Sequence, residues 1–514
     1  MNKYFNEKTV GQFIIDNKTY FGEMELKETD STLIIYLDEF IPQASQMRYP
    51  TQMHGTLYDL TKVTLIDMLF LGGGGNNKQN SDGSYERSQY LKFDLHYVVF
   101  GDDFIDENRS VFKSIDFSVS DSNILFGFDS FKHIIDASKD KVRELIENNS
   151  RRTQLKYGFS NDIDELKFGE NPEIYIYTGA YILENFLIPY GRLTVRNNIN
   201  TTHSWNKGFN IKNPISSSID FEEPTDFWDS LKSVNPIVKL YELILGKRQV
   251  LNTYKLEVET ESHIPTIYQV YQVNQKKVLQ TNYSHPSDRL IHVESETDEF
   301  ESLLNKWLLR QEEWKFARSE FFEVFTRKYY SSDLLIKVAN LFDIIPDSAY
   351  EKSEEISDEL LQAKEKCKDI FKDLPSSNDK NSILGALGRI GKKSLRGKIR
   401  DRYSIIENSG FATLDEIDIV IGNAVNCRNF FVHGSPGKFD YIENFSQISF
   451  FINTLSFIYG TSELIELGWN FKNWEPDELN FHPFSSYLIS YSSKLDELKN
   501  VLFSAKESKG GEQT

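Results

Sequence analysis

Two cysteines, Cys367 and Cys427, are all that 514 residues contain. They cannot build a disulfide framework or a four-thiolate zinc site, and they suit a reducing compartment. Long apolar runs are missing too, since nothing approaches the roughly 20 residues that a membrane-spanning helix needs. The opening residues, MNKYFNEKTVGQF, lack the apolar core of a secretory signal. Basic residues are in deficit, with 58 Lys and Arg against 77 Asp and Glu and a formal net charge of -19. Such a balance argues against a general coat for nucleic acid or anionic membrane, because those surfaces work by neutralising phosphates. It leaves room for a small basic site on an acidic body. The expectation is a soluble, cytoplasmic chain of two or three domains.

Several catalytic signatures are absent as well. The nine histidines show no His-Glu-x-x-His or comparable metal spacing. No Gly-x-Ser-x-Gly elbow occurs. LGGGGNNKQN, at 71–80, follows a strand-like run but lacks the Gly-Lys-Ser/Thr ending of a phosphate loop. It reads as a flexible loop. No metal or other cofactor is called for.

What is present divides into two periods. In the first half, TLIIYLDEF, KVTLIDMLFL, YLKFDLHYVVF, EIYIYTGAY and GRLTVRN are short, β-branched or aromatic, and separated by turn residues. Helical spacing interrupts them at DASKDKVRELIENN and DFWDSLKSVNPIVKLYELILG. From about 295 the apolar spacing becomes three and four, starting with FESLLNKWLLRQEEWKFARSEFFEVFTRKYY. Six or seven helices with short connections predict a bundle. The fold class is therefore α+β: a β-rich N-terminal domain over 1–290, an all-α bundle over 295–505, and a disordered tail over 506–514.

Two stretches of the helical half carry chemistry. GRIGKKSLRGKIRDRY sets Arg389, Lys392, Lys393, Arg396, Lys398, Arg400 and Arg402 against one acid, Asp401. On an exposed helix this set could bind an RNA backbone, and the alternative is a solvated face that balances nearby acids. The other stretch is NCRNFFVHG, at 426–434. Thr413 and Glu416 have capping-box spacing, so a helix is expected to begin there, and Gly434 before Ser435-Pro436-Gly437 should end it. Asn429 and His433 then share one face, about 40° apart, and Arg428 is long enough to join them. An imidazole can move a proton, a guanidinium can hold phosphate oxygens, and an amide can orient either. Together they suit RNA cleavage by the neighbouring 2′-hydroxyl, without a metal, leaving a 2′,3′-cyclic phosphate and a 5′-hydroxyl. The alternative is an ordinary helix end, with a histidine placed well for the helix dipole.

RNFFVHG matches the Arg-Asn-x-x-x-His signature of HEPN domains, and the two-part layout resembles the ApeA-like proteins of prokaryotic antiphage defence. The resemblance implies a metal-independent endoribonuclease that acts on RNA, with tRNA the expected substrate, in abortive infection. It makes His433 the general acid/base, Arg428 the phosphate stabiliser and Asn429 a positioning group. It implies a homodimer or higher homo-oligomer paired through HEPN domains. Related bundles carry a Gln-x-x-Glu-like pair facing the motif, for which the nearest equivalents are Asn340 and Asp343, each a methylene shorter. Asp343 has a second reading, as a cap near the helix end at Pro346. The N-terminal domain is expected to sense a phage-derived activator and regulate the nuclease. The rival readings are an inactive HEPN binding scaffold and the toxin of a toxin–antitoxin pair.

Overall fold

The structure is a computed structural model. It describes residues 3–510 except 38–49, 80, 84, 128–130, 159–168, 205, 207, 260–264, 274–284, 328, 351–356, 475 and 477–479. A β-rich N-terminal region is followed by an all-helical C-terminal region, as expected. Fourteen antiparallel strands form one continuous sheet, from Ile182–Ile188 at one edge to Leu69–Gln79 at the other. Alternation in the sequence sets the two faces. Thr32–Leu37 and Gln52–Leu57 bury every second residue, as a half-buried strand must.

The expected loop at LGGGGNNKQN is instead an edge strand, Leu69–Gln79, paired with Tyr85–Asp94. A Cβ on Gly73 would lie 2.7 Å from the Tyr90 carbonyl oxygen, and one on Gly74 would lie 2.9 Å from the Tyr90 ring. The glycines are there because the neighbouring strand comes close.

Twelve α-helices occur among the described residues. Those in the N-terminal region are α1 (Ser122–Phe126), α2 (Lys139–Tyr157) and α3 (Phe227–Leu245). The first four of the bundle are α4 (Thr297–Leu309), α5 (Gln311–Phe325), α6 (Ser332–Ile344) and α7 (Asp358–Lys372). After them come α8 (Asn378–Arg389), α9 (Leu395–Ser409), α10 (Ile417–His433), α11 (Phe445–Leu467) and α12 (Pro483–Gly510). The bundle thus has more helices than expected, because two stretches are each broken in two. The 300–330 run breaks at Arg310, which lets Trp307 turn toward α3 and Trp314 toward Tyr459 of α11. The basic stretch divides between α8 and α9. Helices α7 and α8 pack on each other and bury no residue. Helix α12 carries through Gly510, into the expected tail, and 511–514 lie outside the described residues.

Helix α11 is buried on nearly every side, which makes it the axis of the bundle. It carries Glu463, fully buried, whose Oε1 accepts from Arg318 Nε at 2.9 Å and Nη2 at 2.7 Å. Arg318 also donates to the Trp307 carbonyl and to Gln311, and lies 3.5 Å from the Trp307 ring centroid.

The two regions share one core. Buried residues of strands Phe112–Val119, Gly191–Asn197 and Leu251–Val258, of α3, and of the bundle form a single continuous cluster. A second cluster fills most of the space among the strands before residue 101 and takes in Val273, whereas Ile66 and Val99 of those strands join the first. Three buried hydrogen bonds cross the junction: Trp307 Nε1 to Pro236 O (2.9 Å), Trp469 Nε1 to Leu290 O (3.0 Å) and His482 Nε2 to Leu243 O (3.0 Å). His482 also accepts from the Phe484 amide through Nδ1, so both ring nitrogens are used in the neutral form.

Two predictions follow from these buried groups. Removing one partner of the ion pair leaves the other charge buried, so Glu463→Ala should cost about 3–5 kcal/mol. Arg318→Met combined with Glu463→Leu should recover most of that loss in urea unfolding. Burial pushes the pKa of His482 down to about 4, against weaker opposing effects from the Leu243 carbonyl and Asp288. Below pH ~6.5 the unfolded chain therefore takes up a proton that the folded chain refuses. Stability is complete above that pH and falls by about 3 kcal/mol on the way to pH 4. His482→Gln should flatten this part of the acid limb; identical limbs would show that His482 does not contribute.

Candidate active site

Helix α10 begins at Ile417, three residues later than the capping-box spacing suggests. Glu416 is itself the cap residue, at φ 50°, and its carboxylate pairs with Lys499 of α12 at 2.5 Å. The Leu414 amide donates to the Tyr403 hydroxyl, which ties the segment before the helix to α9. The other end is as expected. Gly434 turns to φ 64° and its amide returns to the Phe430 carbonyl at 3.0 Å.

The inner face of α10 buries Ile417, Val420, Ile421, Ala424 and Cys427. Burial pushes the Cys427 thiol up to about 12, so it is a core residue and not a nucleophile. The plug of the motif packs outward on the following loop, with Phe430 and Phe431 5.2 and 6.2 Å from the Tyr441 ring. Sequence reading missed Tyr441. Its only signal is that it lies, with Phe439, in the loop just after the motif, and the two rings are 4.6 Å apart.

The polar residues of the motif converge on Arg428. Its Nη1 donates to Asn429 Oδ1 at 3.0 Å and to His433 Nε2 at 3.0 Å. Its Nε and Nη2 both donate to Asn340 Oδ1 of α6, at 3.0 and 2.8 Å. A guanidinium cannot accept a hydrogen bond, so His433 Nε2 must accept and the ring proton sits on Nδ1. One N–H of Nη2 has no partner among the described residues. Arg428 is half-buried and His433 is exposed, so the cluster meets solvent at its histidine.

Asn340 thus faces the motif, whereas Asp343 does not. The Asp343 carboxylate pairs with Lys398 of α9 at 3.1 Å, so it neither joins the motif nor caps the end of α6. Most of the basic stretch is neutralised in the same way. Lys393 pairs with Asp401, and Arg400 lies 2.9 Å from Glu407 and 3.6 Å from Asp418. Arg402 is fully buried, bonded to Glu466 at 2.9 Å and Ser462 at 3.0 Å, and cannot meet RNA. Arg389, Lys392 and Arg396 stay exposed, with no carboxylate partner among the described residues. Of the seven basic residues expected to meet RNA, three stay exposed without a carboxylate partner among the described residues, because α9 sits among acids from its own and neighbouring helices.

No described helix is long and apolar enough to cross a membrane. The family model described as ApeA N-terminal domain 1 matches residues 8–307, more than half of the chain. The one described as Apea-like HEPN matches residues 336–472, a span that holds Asn340, Arg428, Asn429 and His433. No curated protein and no solved structure matches the chain. With its N-terminal domain, its helical bundle and the motif all in place, the chain belongs to the ApeA-like HEPN family of antiphage proteins.

Proposed function

We propose that this protein is a metal-independent endoribonuclease that cleaves RNA, with tRNA as the expected substrate, to abort phage infection. The observation that carries the reading is the cluster in which one arginine holds Asn340, Asn429 and the Nε2 lone pair of His433. The chemistry needs a base for the 2′-hydroxyl and a cation for the phosphate, and here the two are in direct contact. As substrate enters, the phosphate draws the guanidinium away from His433 and frees Nε2. His433 then takes the 2′-hydroxyl proton, the O2′–P bond forms, and the P–O5′ bond breaks. A second copy of the motif, supplied by HEPN pairing, gives a proton to the leaving 5′-oxygen. Asn340 and Asn429 keep the guanidinium plane oriented throughout.

The core shared by the two regions supports regulation within the chain. A phage component bound by the N-terminal domain would act through α3 and the junction bonds on the bundle.

In infected bacteria, wild-type protein should protect the culture and leave new 2′,3′-cyclic phosphate ends on cellular RNA. His433→Ala and Arg428→Ala should each reduce cleavage by roughly 10²-fold or more. Protection that survives both substitutions would discard the catalytic reading and leave the bundle as a binding scaffold. A second test needs no turnover. The ¹⁵N shifts of labelled histidine should place the His433 proton on Nδ1 in the wild type, and Arg428→Ala should move it toward Nε2. An unchanged tautomer would mean that Arg428 does not hold the ring.

A further inference from the structure

A cavity of about 120 Å³ opens where the C-terminal end of α5, the N-terminal ends of α6 and α12, and the middle of α11 meet. Phe325, Leu334, Ile452 and Phe484 form its apolar wall. An enclosed apolar cavity of about 150 Å³ takes up benzene, and this smaller pocket, which opens to solvent, can seat one flat ring only partly inside it.

One polar residue of the lining, Asn453, fits the edge of such a ring, and a second, Ser456, is closed off beside it. Ser456 is only 6% exposed, and its Oγ has no hydrogen-bond partner among the described residues. A buried hydroxyl left this way is unusual enough to require an explanation. Asn453 accepts from the Tyr330 hydroxyl at 3.2 Å through Oδ1, which leaves its amide N–H groups as donors. At the rim stand the exposed Tyr330 ring and Arg327. Glu323 holds Arg327 through Nε and Nη2, and Nη1 has no partner among the described residues. A wall for a flat ring, a donor for its edge, and a guanidinium outside for an anion describe a nucleotide. An aromatic side chain of a protein partner would use the wall alone.

The cavity also lies at the motif's end of the bundle. Helices α6 and α11 run side by side in the same direction, since Tyr330 meets Asn453 at one end and Phe342 meets Tyr459 at the other. Asp418, early in α10, lies at Arg400 of α9, two residues from Lys398, which pairs with Asp343 at the C-terminal end of α6. Arg428 lies at Asn340, nearer the start of α6. Helix α10 therefore runs against α6 and carries His433 toward the end where the cavity opens.

We propose that this cavity binds one unpaired nucleobase of the RNA substrate, with Asn453 reading its edge and Arg327 meeting its phosphate. The inference rests on the ribonuclease reading for the identity of the substrate, but not for the presence of a base site. The test uses the full chain in two forms. The His433→Ala protein is titrated with the four nucleoside 5′-monophosphates by calorimetry, and the active protein is given RNA oligonucleotides that differ at one unpaired position.

One base should bind in preference to the others. Asn453→Ala should weaken that binding roughly tenfold, the scale of one lost hydrogen bond, and should relax base selectivity in cleavage. Tyr330→Ala, at the exposed rim, repeats the test where folding is not at stake, and thermal unfolding checks both variants. Cleavage with unaltered selectivity in both variants, together with no nucleotide binding, overturns the base site and leaves the ribonuclease reading standing. Base-selective binding of free nucleotides without cleavage of any RNA keeps the site but overturns its assignment to a substrate.

Discussion

A carboxylate at the centre of a helical bundle has to be neutralised where it lies, and Glu463 is fully buried on α11. Arg318 does this, and in doing so fixes α5 against α11. The same guanidinium accounts for the Trp307 carbonyl at the end of α4 and so sets the joint between α4 and α5. That joint aims Trp307 at α3 and ties the sheet to the bundle. On the neighbouring turn of α11, Ser462 and Glu466 hold Arg402 of α9. One turn away on α9, Lys398 holds Asp343 of α6. The result is an α6 whose flank offers Asn340 to Arg428. The motif opens to solvent at His433, but the frame that orients it depends on buried charge.

This dependence explains which parts of the molecule can be read from the sequence. RNFFVHG is legible because helix spacing brings its polar groups together locally and Gly434 marks its end. Asn340 is 88 residues away from Arg428 and is reached only through resemblance. Asp343 and the basic stretch carry the right charge, but charge in a sequence does not reveal its neighbours. Arg402 looks like its exposed companions and differs from them only in where α9 packs. LGGGGNNKQN has the composition of a flexible loop, yet close approach to a neighbouring strand demands the same residue. Thr413 and Glu416 have the right spacing for a cap, but Lys499, distant in sequence, claims the carboxylate.

The bond between Arg428 and His433 adds a property that no single residue has. The base of the proposed reaction is held by the cation of the same reaction, so each is satisfied by the other until a phosphate arrives. In the proposed reaction, an anion that competes for the guanidinium would release the imidazole. The exposure of His433 keeps that competition open to solvent-borne RNA.

The core that runs from the sheet into the bundle also bears on how such a chain can change over generations. Domains joined by a linker can be exchanged between relatives as units. Here Trp307, Trp469 and His482 of the helical half each donate a buried hydrogen bond to a backbone carbonyl of the segment before it. A new N-terminal half would have to present the same carbonyls in the same places. Change is easier among the strands before residue 101, most of whose buried residues belong to the second cluster and not to the one that crosses the junction.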